Sequence, residues 1–300
     1  MEKLYWLAKP RGYCMGVARA LKMLDETLEK SYGTVYVRKE IVHNQALVDY
    51  YKSIGTKIVN EVDEVPEGET VVFSAHGVSP VVRKMAQERR LRVVDTTCPL
   101  VTKIHNEALR LKQEGKETVL IGVAGHKEVI GVMGEAPDNI VLIEKSSDVG
   151  TLEFKNPSNV AWLSQTTLNV DDTMEIVREL ETKFPNIQGP IKSDICQATK
   201  DRQQAVKNFA RDCDLFVIVG SVNSSNTKRL AEVATEYGAK KVVRVDEAVE
   251  LKSIDFEHIA IIGVTSGVSV SSEQLKRITN SLEEHGYRYA GERVYHSDTI

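Results

Sequence analysis

The chain has 300 residues, a length that suggests about two domains, and its 39 Lys and Arg against 43 Asp and Glu give a formal net charge of −4. With 27% charged residues and no apolar run near the roughly 18 residues of a membrane span, the composition argues against a nucleic-acid coat, a polybasic anchor and a transmembrane segment. Four cysteines are too few for a disulfide scaffold, so a reducing cytoplasm is the expected location and metal or redox chemistry their expected use. Met1–Ala8 reads as a strand, too short for a signal-peptide apolar region. From there, Val- and Ile-rich runs alternate with amphipathic stretches, the pattern of an α/β protein with mainly parallel sheets. The predicted strands are Leu4–Ala8, Val35–Arg38, Lys57–Asn60, Val71–Ser74, Arg92–Asp95, Val119–Val123, Ile140–Ile143, Val160–Ser164, Ile191–Ile195, Leu215–Val219, Lys241–Val245 and Ile259–Val264.

A repeat runs through these elements. Cys14, Cys98 and Cys196 each follow a strand and open a predicted helix, over Met15–Lys30, Pro99–Gln113 and Gln197–Arg211. A polar motif follows each at 29, 28 and 29 residues: His43-Asn44, then His126 in Gly125-His126-Lys127-Glu128, then Ser225 in Ser224-Ser225-Asn226. Third strands lead into the acidic segments Glu61–Val65, Glu144–Val149 and Asp246–Val249. Fourth strands end in Ser74-Ala75-His76-Gly77, Ser164-Gln165-Thr166-Thr167 and Thr265-Ser266-Gly267-Val268-Ser269. Three units of about 90 to 100 residues are therefore expected. Active groups of parallel sheets lie beyond the carboxyl ends of the strands. If those ends face a common centre, three cysteines and six polar motifs share one site.

A thiolate binds metal only when deprotonated, a state that a helix N-terminus favours. Spacings of 84 and 98 residues between the repeat cysteines rule out a local zinc finger or ribbon. Three thiolates suit either zinc with an open fourth position or a [4Fe–4S] cluster with one iron lacking a protein ligand. Cys213 has no counterpart in the repeat and is expected to be structural, as are His105, His258, His285 and His296. His43, His76 and His126 lie at strand ends within it. The polar motifs are rich in neutral donors suited to a phosphate, yet no Walker loop and no Gly-x-Gly-x-x-Gly occurs. Glu128, the only carboxylate within these motifs, is a candidate acid, against the plainer reading of an exposed, solvated side chain.

The motifs Pro10–Val17, Val42-His43-Asn44, Phe73–Ser79, Asp95–Val101, Gly125–Val129, Gln165–Leu168, Asp194–Thr199, Gly220–Asn226 and Gly263–Ser269 together resemble the LytB/IspH family of 4-hydroxy-3-methylbut-2-enyl diphosphate reductases, in consistent order from about residue 4 to residue 285. The resemblance implies three pseudo-repeated α/β lobes, each with a mainly parallel sheet of about four strands, around a central Fe–S site. It places them at 14–97, at 98–195, and at 1–13 with 196–285, followed by a tail at 286–300. It further implies one oxygen-sensitive [4Fe–4S] cluster per chain on Cys14, Cys98 and Cys196, and reductive removal of an allylic hydroxyl to give isopentenyl and dimethylallyl diphosphates. By the same resemblance His43, His76, His126, Ser224, Ser225, Asn226 and Ser269 hold the diphosphate, Glu128 delivers protons, and Thr166 lies near the substrate hydroxyl. Partners would be the allylic diphosphate and an external one-electron donor such as ferredoxin or flavodoxin, with no nucleic acid and no membrane. Two positions depart from the family pattern, which commonly has Pro at Lys127 and at Ser271. A non-catalytic redox sensor and a zinc hydrolase with Glu128 as base are the competing readings; the scarcity of concentrated basic residues disfavours the first.

Overall fold

In the computed structural model, which describes residues 2–295, strand β1 (Leu4–Lys9) is followed by α1 (Met15–Lys30), β2 (Val35–Arg38), α2 (Gln45–Ser53), β3 (Lys57–Val59), β4 (Thr70–Phe73), α3 (Pro80–Glu88) and β5 (Arg92–Asp95). Next come α4 (Pro99–Gln113), β6 (Glu117–Ile121), α5 (Lys127–Met133), β7 (Ile140–Ile143), β8 (Val160–Ser164) and α6 (Val170–Lys183). The last stretch holds α7 (Gln197–Lys207), β9 (Leu215–Val219), α8 (Ser225–Glu236), β10 (Lys241–Val245), β11 (Ile261–Ser266), α9 (Ser272–Glu284) and β12 (Arg288–Val294). These strands form three sheets, ordered β3-β2-β4-β5, β7-β6-β8 and β10-β9-β11-β1-β12. Every pairing is parallel. The expected α/β class with three parallel sheets is thus what the chain forms. His296 lies outside the described residues, and no helix among them is long and apolar enough to cross a membrane.

By compactness the chain divides into two units, one of residues 1–15, 43–45 and 197–300, the other of residues 16–42 and 46–196. The first carries the five-stranded sheet. Within it β9, Leu-Phe-Val-Ile-Val, lies between β10 and β11 and is buried at all five positions, as a strand covered on both faces must be. Cys213 packs there against Phe216, and a Cβ at Gly263 would lie 2.6 Å from its sulfur. Burial pushes the Cys213 thiol well above its usual range, so it stays protonated and structural, as expected. The other unit carries the remaining two sheets.

The repeat extends to single hydrogen bonds. Each acidic segment forms a 3₁₀ turn that caps itself. Glu64 accepts from the amides of Asn60 and Glu61, Asp148 from Glu144 and Lys145, and Glu250 from Asp246 and Glu247, all between 2.8 and 3.1 Å. Those carboxylates serve the backbone rather than a ligand.

Two strand assignments are corrected. Ile191–Ile195 is not a strand: Ile191 is exposed, and the place beside β8 is taken by Gln188, whose amide and carbonyl bond Val160 and Trp162 at 2.9 Å. Gly189 follows against the Trp162 ring, where a Cβ would stand at 2.9 Å, and Pro190 cannot donate to a ladder. At the far end of β8 the Asp194 carboxylate replaces a strand neighbour, accepting from Ser164 N–H at 3.1 Å and pairing with Lys103 at 3.0 Å. Conversely, β12 is a strand that the apolar pattern misses. It is a partly exposed edge whose residues Arg288-Tyr289-Ala290-Gly291-Glu292-Arg293-Val294 bury little, with a bulge where Tyr5 pairs Tyr289 and Trp6 pairs Gly291. Gly291 has φ 131° beneath the Trp6 ring, and Arg293 stacks 4.4 Å from that ring's centroid.

Asp194→Ala removes the acceptor from a buried amide, and Lys103 can regain water, so a loss of about 1–3 kcal/mol is expected. Asp194→Asn, which keeps the acceptor, should lose less. Urea unfolding of the two variants checks this ordering.

Candidate active site

The three repeat cysteines share one backbone contact. The amide of Cys98 donates to the carbonyl of Ala75 at 3.0 Å, that of Cys196 to Thr166 at 3.1 Å, and that of Cys14 to Val268 at 3.1 Å. Each acceptor stands two residues beyond the end of a strand, β4, β8 and β11 respectively. A cysteine amide just before a helix has no intrahelical acceptor, and in all three copies the strand-end loop supplies one. The three side chains are partly exposed and outside any disulfide, whereas Cys213 is buried. Among the described residues no three His, Cys, Asp or Glu side chains gather closely enough to hold a single ion.

In the unit of residues 16–42 and 46–196, α5 begins at its N-cap His126, whose Nδ1 accepts from Glu128 N–H at 3.2 Å. That bond requires an unprotonated Nδ1, which leaves Nε2–H as the donor of a neutral ring. The ring of His76 lies nearly perpendicular to that of His126, centroids 5.8 Å apart, and its Nδ1 meets Ser74 Oγ at 3.2 Å. Glu128 is not the exposed side chain of the plainer reading; it is 3% exposed. Its Oε1 accepts from Thr166 N–H at 2.7 Å and its Oε2 from the Thr166 hydroxyl at 2.8 Å. Burial pushes its carboxyl up to about 7, the two Thr166 bonds oppose the shift, and the Asp194 charge adds to it. Thr166 therefore holds Glu128 with its amide and hydroxyl, and Cys196 with its carbonyl.

In the other unit, the corresponding hub is the loop Gly267-Val268-Ser269. Gly267 N–H bonds the end of β9 at Val219 O, and Val268 N–H donates to Asn226 Oδ1 at 3.1 Å. That contact turns the Asn226 amide so that its NH₂ end remains the donor. Ser269 Oγ donates to the His43 carbonyl at 2.9 Å, and Asn44 Nδ2 to the Ser269 carbonyl at 2.8 Å. Ser224 caps α8, accepting from Thr227 N–H, and Ser225 begins that helix. Gly267 is required here, because a Cβ would stand 2.3 Å from Thr227 Oγ1. The Cys14 loop is fixed by Gly12, whose amide donates to Ser266 Oγ and whose carbonyl accepts from Arg202, each at 2.8 Å.

Both departures from the family pattern have a local account. Lys127, on the first turn of α5, pairs with Glu40 at 3.2 Å. Ser271 caps α9, its Oγ accepting from Gln274 N–H at 3.0 Å. His105 is structural as expected, its Nδ1 2.7 Å from Glu135 and its ring against Gly77 and Gly131. Asn44 and Asp194 belong to the sequence motifs but carry no expected role there, and Gln274 stands outside those motifs. The signal for Gln274 was a polar residue in the row Gln274, Ile278, Leu282 on the buried face of an amphipathic helix.

A family profile described as LytB protein matches residues 6–283. A 4-hydroxy-3-methylbut-2-enyl diphosphate reductase of Leifsonia xyli subsp. xyli is 50% identical over 286 residues, covering 95% of this chain and 85% of that one. Its counterpart in Cutibacterium acnes is 48% identical over 299 residues, covering 100% and 92%. Among solved structures, the E-1-hydroxy-2-methyl-but-2-enyl-4-diphosphate reductase of Plasmodium falciparum superposes with a TM-score of 0.93 at 32% identity, covering 100% of this chain and 94% of that one. By sequence and by fold, the chain belongs to the LytB family.

Proposed function

We propose that this protein is a 4-hydroxy-3-methylbut-2-enyl diphosphate reductase of the non-mevalonate isoprenoid pathway, and that it works in the cytoplasm. Two electrons and two protons convert the allylic alcohol to isopentenyl and dimethylallyl diphosphates, with the hydroxyl leaving as water. The observation that carries this reading is the buried Glu128–Thr166 pair, joined through the Thr166 carbonyl to the amide of Cys196.

Cys14, Cys98 and Cys196 offer three soft thiolates at helix starts, a donor set that fits an iron–sulfur group. Three ligands for four irons make a [4Fe–4S] cluster with one open iron the favoured form, one per chain. Such a group supplies electrons one at a time from an external donor such as ferredoxin or flavodoxin. The remaining chemistry falls to the chain's own residues. His43, His76, His126, Ser224, Ser225 and Asn226 supply neutral donors for the diphosphate, and Ser269 joins them by turning its single O–H from the His43 carbonyl to the ligand. Neutral donors suit this task, since they hold a fixed geometry without adding buried charge that needs its own partner. Expulsion of hydroxide from an allylic alcohol needs a proton, which a carboxylic acid can give. Glu128, held near neutrality by burial, is that acid at physiological pH. Because both its oxygens meet Thr166, the proton can pass to the Thr166 hydroxyl, which turns to relay it.

An anaerobic turnover assay on the allylic diphosphate tests the assignment as a whole; a purified, cluster-loaded protein without reductase activity would refute it. Changing Cys14, Cys98 or Cys196 to Ser should each abolish iron binding and turnover, and Cys213→Ser should leave both nearly intact. Iron and sulfide analysis of the four variants checks this.

Glu128→Gln keeps shape and hydrogen bonding but has no proton to give. Turnover should fall by at least about 10²-fold, with the cluster spectrum and substrate affinity near normal. The proton-donating form of Glu128 exists below its pKa and disappears as pH rises through about 7. Wild-type kcat should therefore decline on the alkaline side of that value, and the residual rate of Glu128→Gln should lack the decline. A pH profile of kcat for both proteins decides it.

Diphosphate binding should depend on both motif types. His43→Ala or Asn226→Ala each removes a hydrogen bond to a charged group and should weaken binding by roughly 10- to 150-fold, with the cluster retained. Calorimetric titration with substrate checks this.

A further inference from the structure

Gln274 lies on the first turn of α9 with its side chain in the core, 2% exposed, in the row it shares with Ile278 and Leu282. A buried amide is tolerated only when its polar atoms are bonded, and here they are. Its Nε2 donates to the Asp246 main-chain carbonyl at 2.9 Å and to Asp246 Oδ1 at 2.7 Å. Its Oε1 accepts from Asn44 Nδ2 at 3.0 Å.

These contacts have a fixed polarity. The Asp246 main-chain carbonyl can only accept at any pH, so the NH₂ end of Gln274 must face it and the oxygen must face Asn44. Asn44 must then present its own NH₂ end, which also donates to the Ser269 carbonyl. Turned over, Asn44 would set its oxygen against two acceptors. Ser269 returns a bond from its hydroxyl to the carbonyl of His43. The same loop holds Asn226 through Val268 N–H and Cys14 through Val268 O.

We propose that Gln274 is a positioning residue of the diphosphate site: it sets the orientation of the Asn44 amide, which clamps the Ser269 loop to His43. This rests on the reading that His43, Asn226 and Ser269 hold the diphosphate. Gln274 touches no substrate atom; it acts by keeping those donors in register. Without it Asn44 can turn over, its bond to Ser269 weakens, and the donors on both sides of that bond lose their common frame. Binding then suffers more than chemistry, because Glu128 and Thr166 are untouched.

The test is calorimetric titration of inorganic diphosphate into the anaerobically purified, cluster-loaded full chain. Gln274→Met keeps length and apolar packing but removes both polar ends. Its affinity should fall about tenfold, with iron content and visible absorption unchanged. KM for the allylic diphosphate should rise in parallel while kcat stays within about twofold. Gln274→Glu still offers Asn44 an acceptor and should lose less than Gln274→Met. Wild-type affinity in Gln274→Met alongside weakened binding in His43→Ala would overturn the positioning role alone. Wild-type affinity in His43→Ala and Asn226→Ala as well would overturn the diphosphate reading with it. Asn44→Leu removes the same clamp from its other side and carries the identical comparison should Gln274→Met fail to fold.

Discussion

The structure turns on one hydrogen bond made three times, from a cysteine amide at a helix start to a carbonyl two residues past a strand end. A helix N-terminus leaves amides without partners, and a strand end leaves carbonyls beyond the ladder; each need meets the other here. The bond fixes where each of these three cysteine Cα atoms stands relative to the carboxyl edge of a parallel sheet. It also fixes the loop that supplies the acceptor, so the residues flanking that carbonyl inherit their positions from it. His76 and Ser269 each follow the acceptor residue directly, and in the second copy Thr166 is the acceptor residue itself.

The second and third copies use that frame differently. At Thr166, three polar groups of one residue serve Glu128 and Cys196, so a single residue ties the Glu128 carboxyl to the Cys196 amide. Burial of Glu128 would be costly for a carboxylate, and Thr166 compensates only in part, which is why the carboxyl sits near neutrality rather than in the usual acidic range. At Val268 and Ser269 no carboxylate takes part in the loop's own bonds. The loop is held by the amides of Asn44 and Asn226 and by the Ser269 hydroxyl, all neutral groups. A rigid set of neutral donors is suited to an anion that brings its own charge, as a diphosphate does.

Much of this was legible in the sequence because spacing survives where residue identity does not. The intervals from Cys14, Cys98 and Cys196 to His43, His126 and Ser225 lead, in each copy, to the loop or first residue that opens the helix after the next strand. Strands such as Leu215–Val219 announce themselves by burying both faces. Local pattern failed where tertiary context decides. Ile191–Ile195 resembles a strand only in its two terminal Ile residues, Gly189 and Pro190 break the approach to it, and a carboxylate does the work of the ladder. Arg288–Val294 has an edge strand's polarity and pairs only because β1 offers a free edge and Gly291 admits the Trp6 ring. The burial of Glu128 and the clamp of Gln274 depend on partners 38 and 230 residues away, which no window of sequence can show.

The proposed reaction depends most directly on Glu128 being a neutral acid at physiological pH, poised by burial against Thr166. Infrared difference spectra of selectively ¹³C-glutamate-labelled protein, wild type minus Glu128→Gln, report that carboxyl directly as pH is varied. A protonated-carboxyl band should persist below neutrality and be lost with a midpoint near pH 7. A band that disappears near the ordinary glutamate value of about 4.3 would contradict it, since Glu128 would then carry no proton to give at the pH where the enzyme must work.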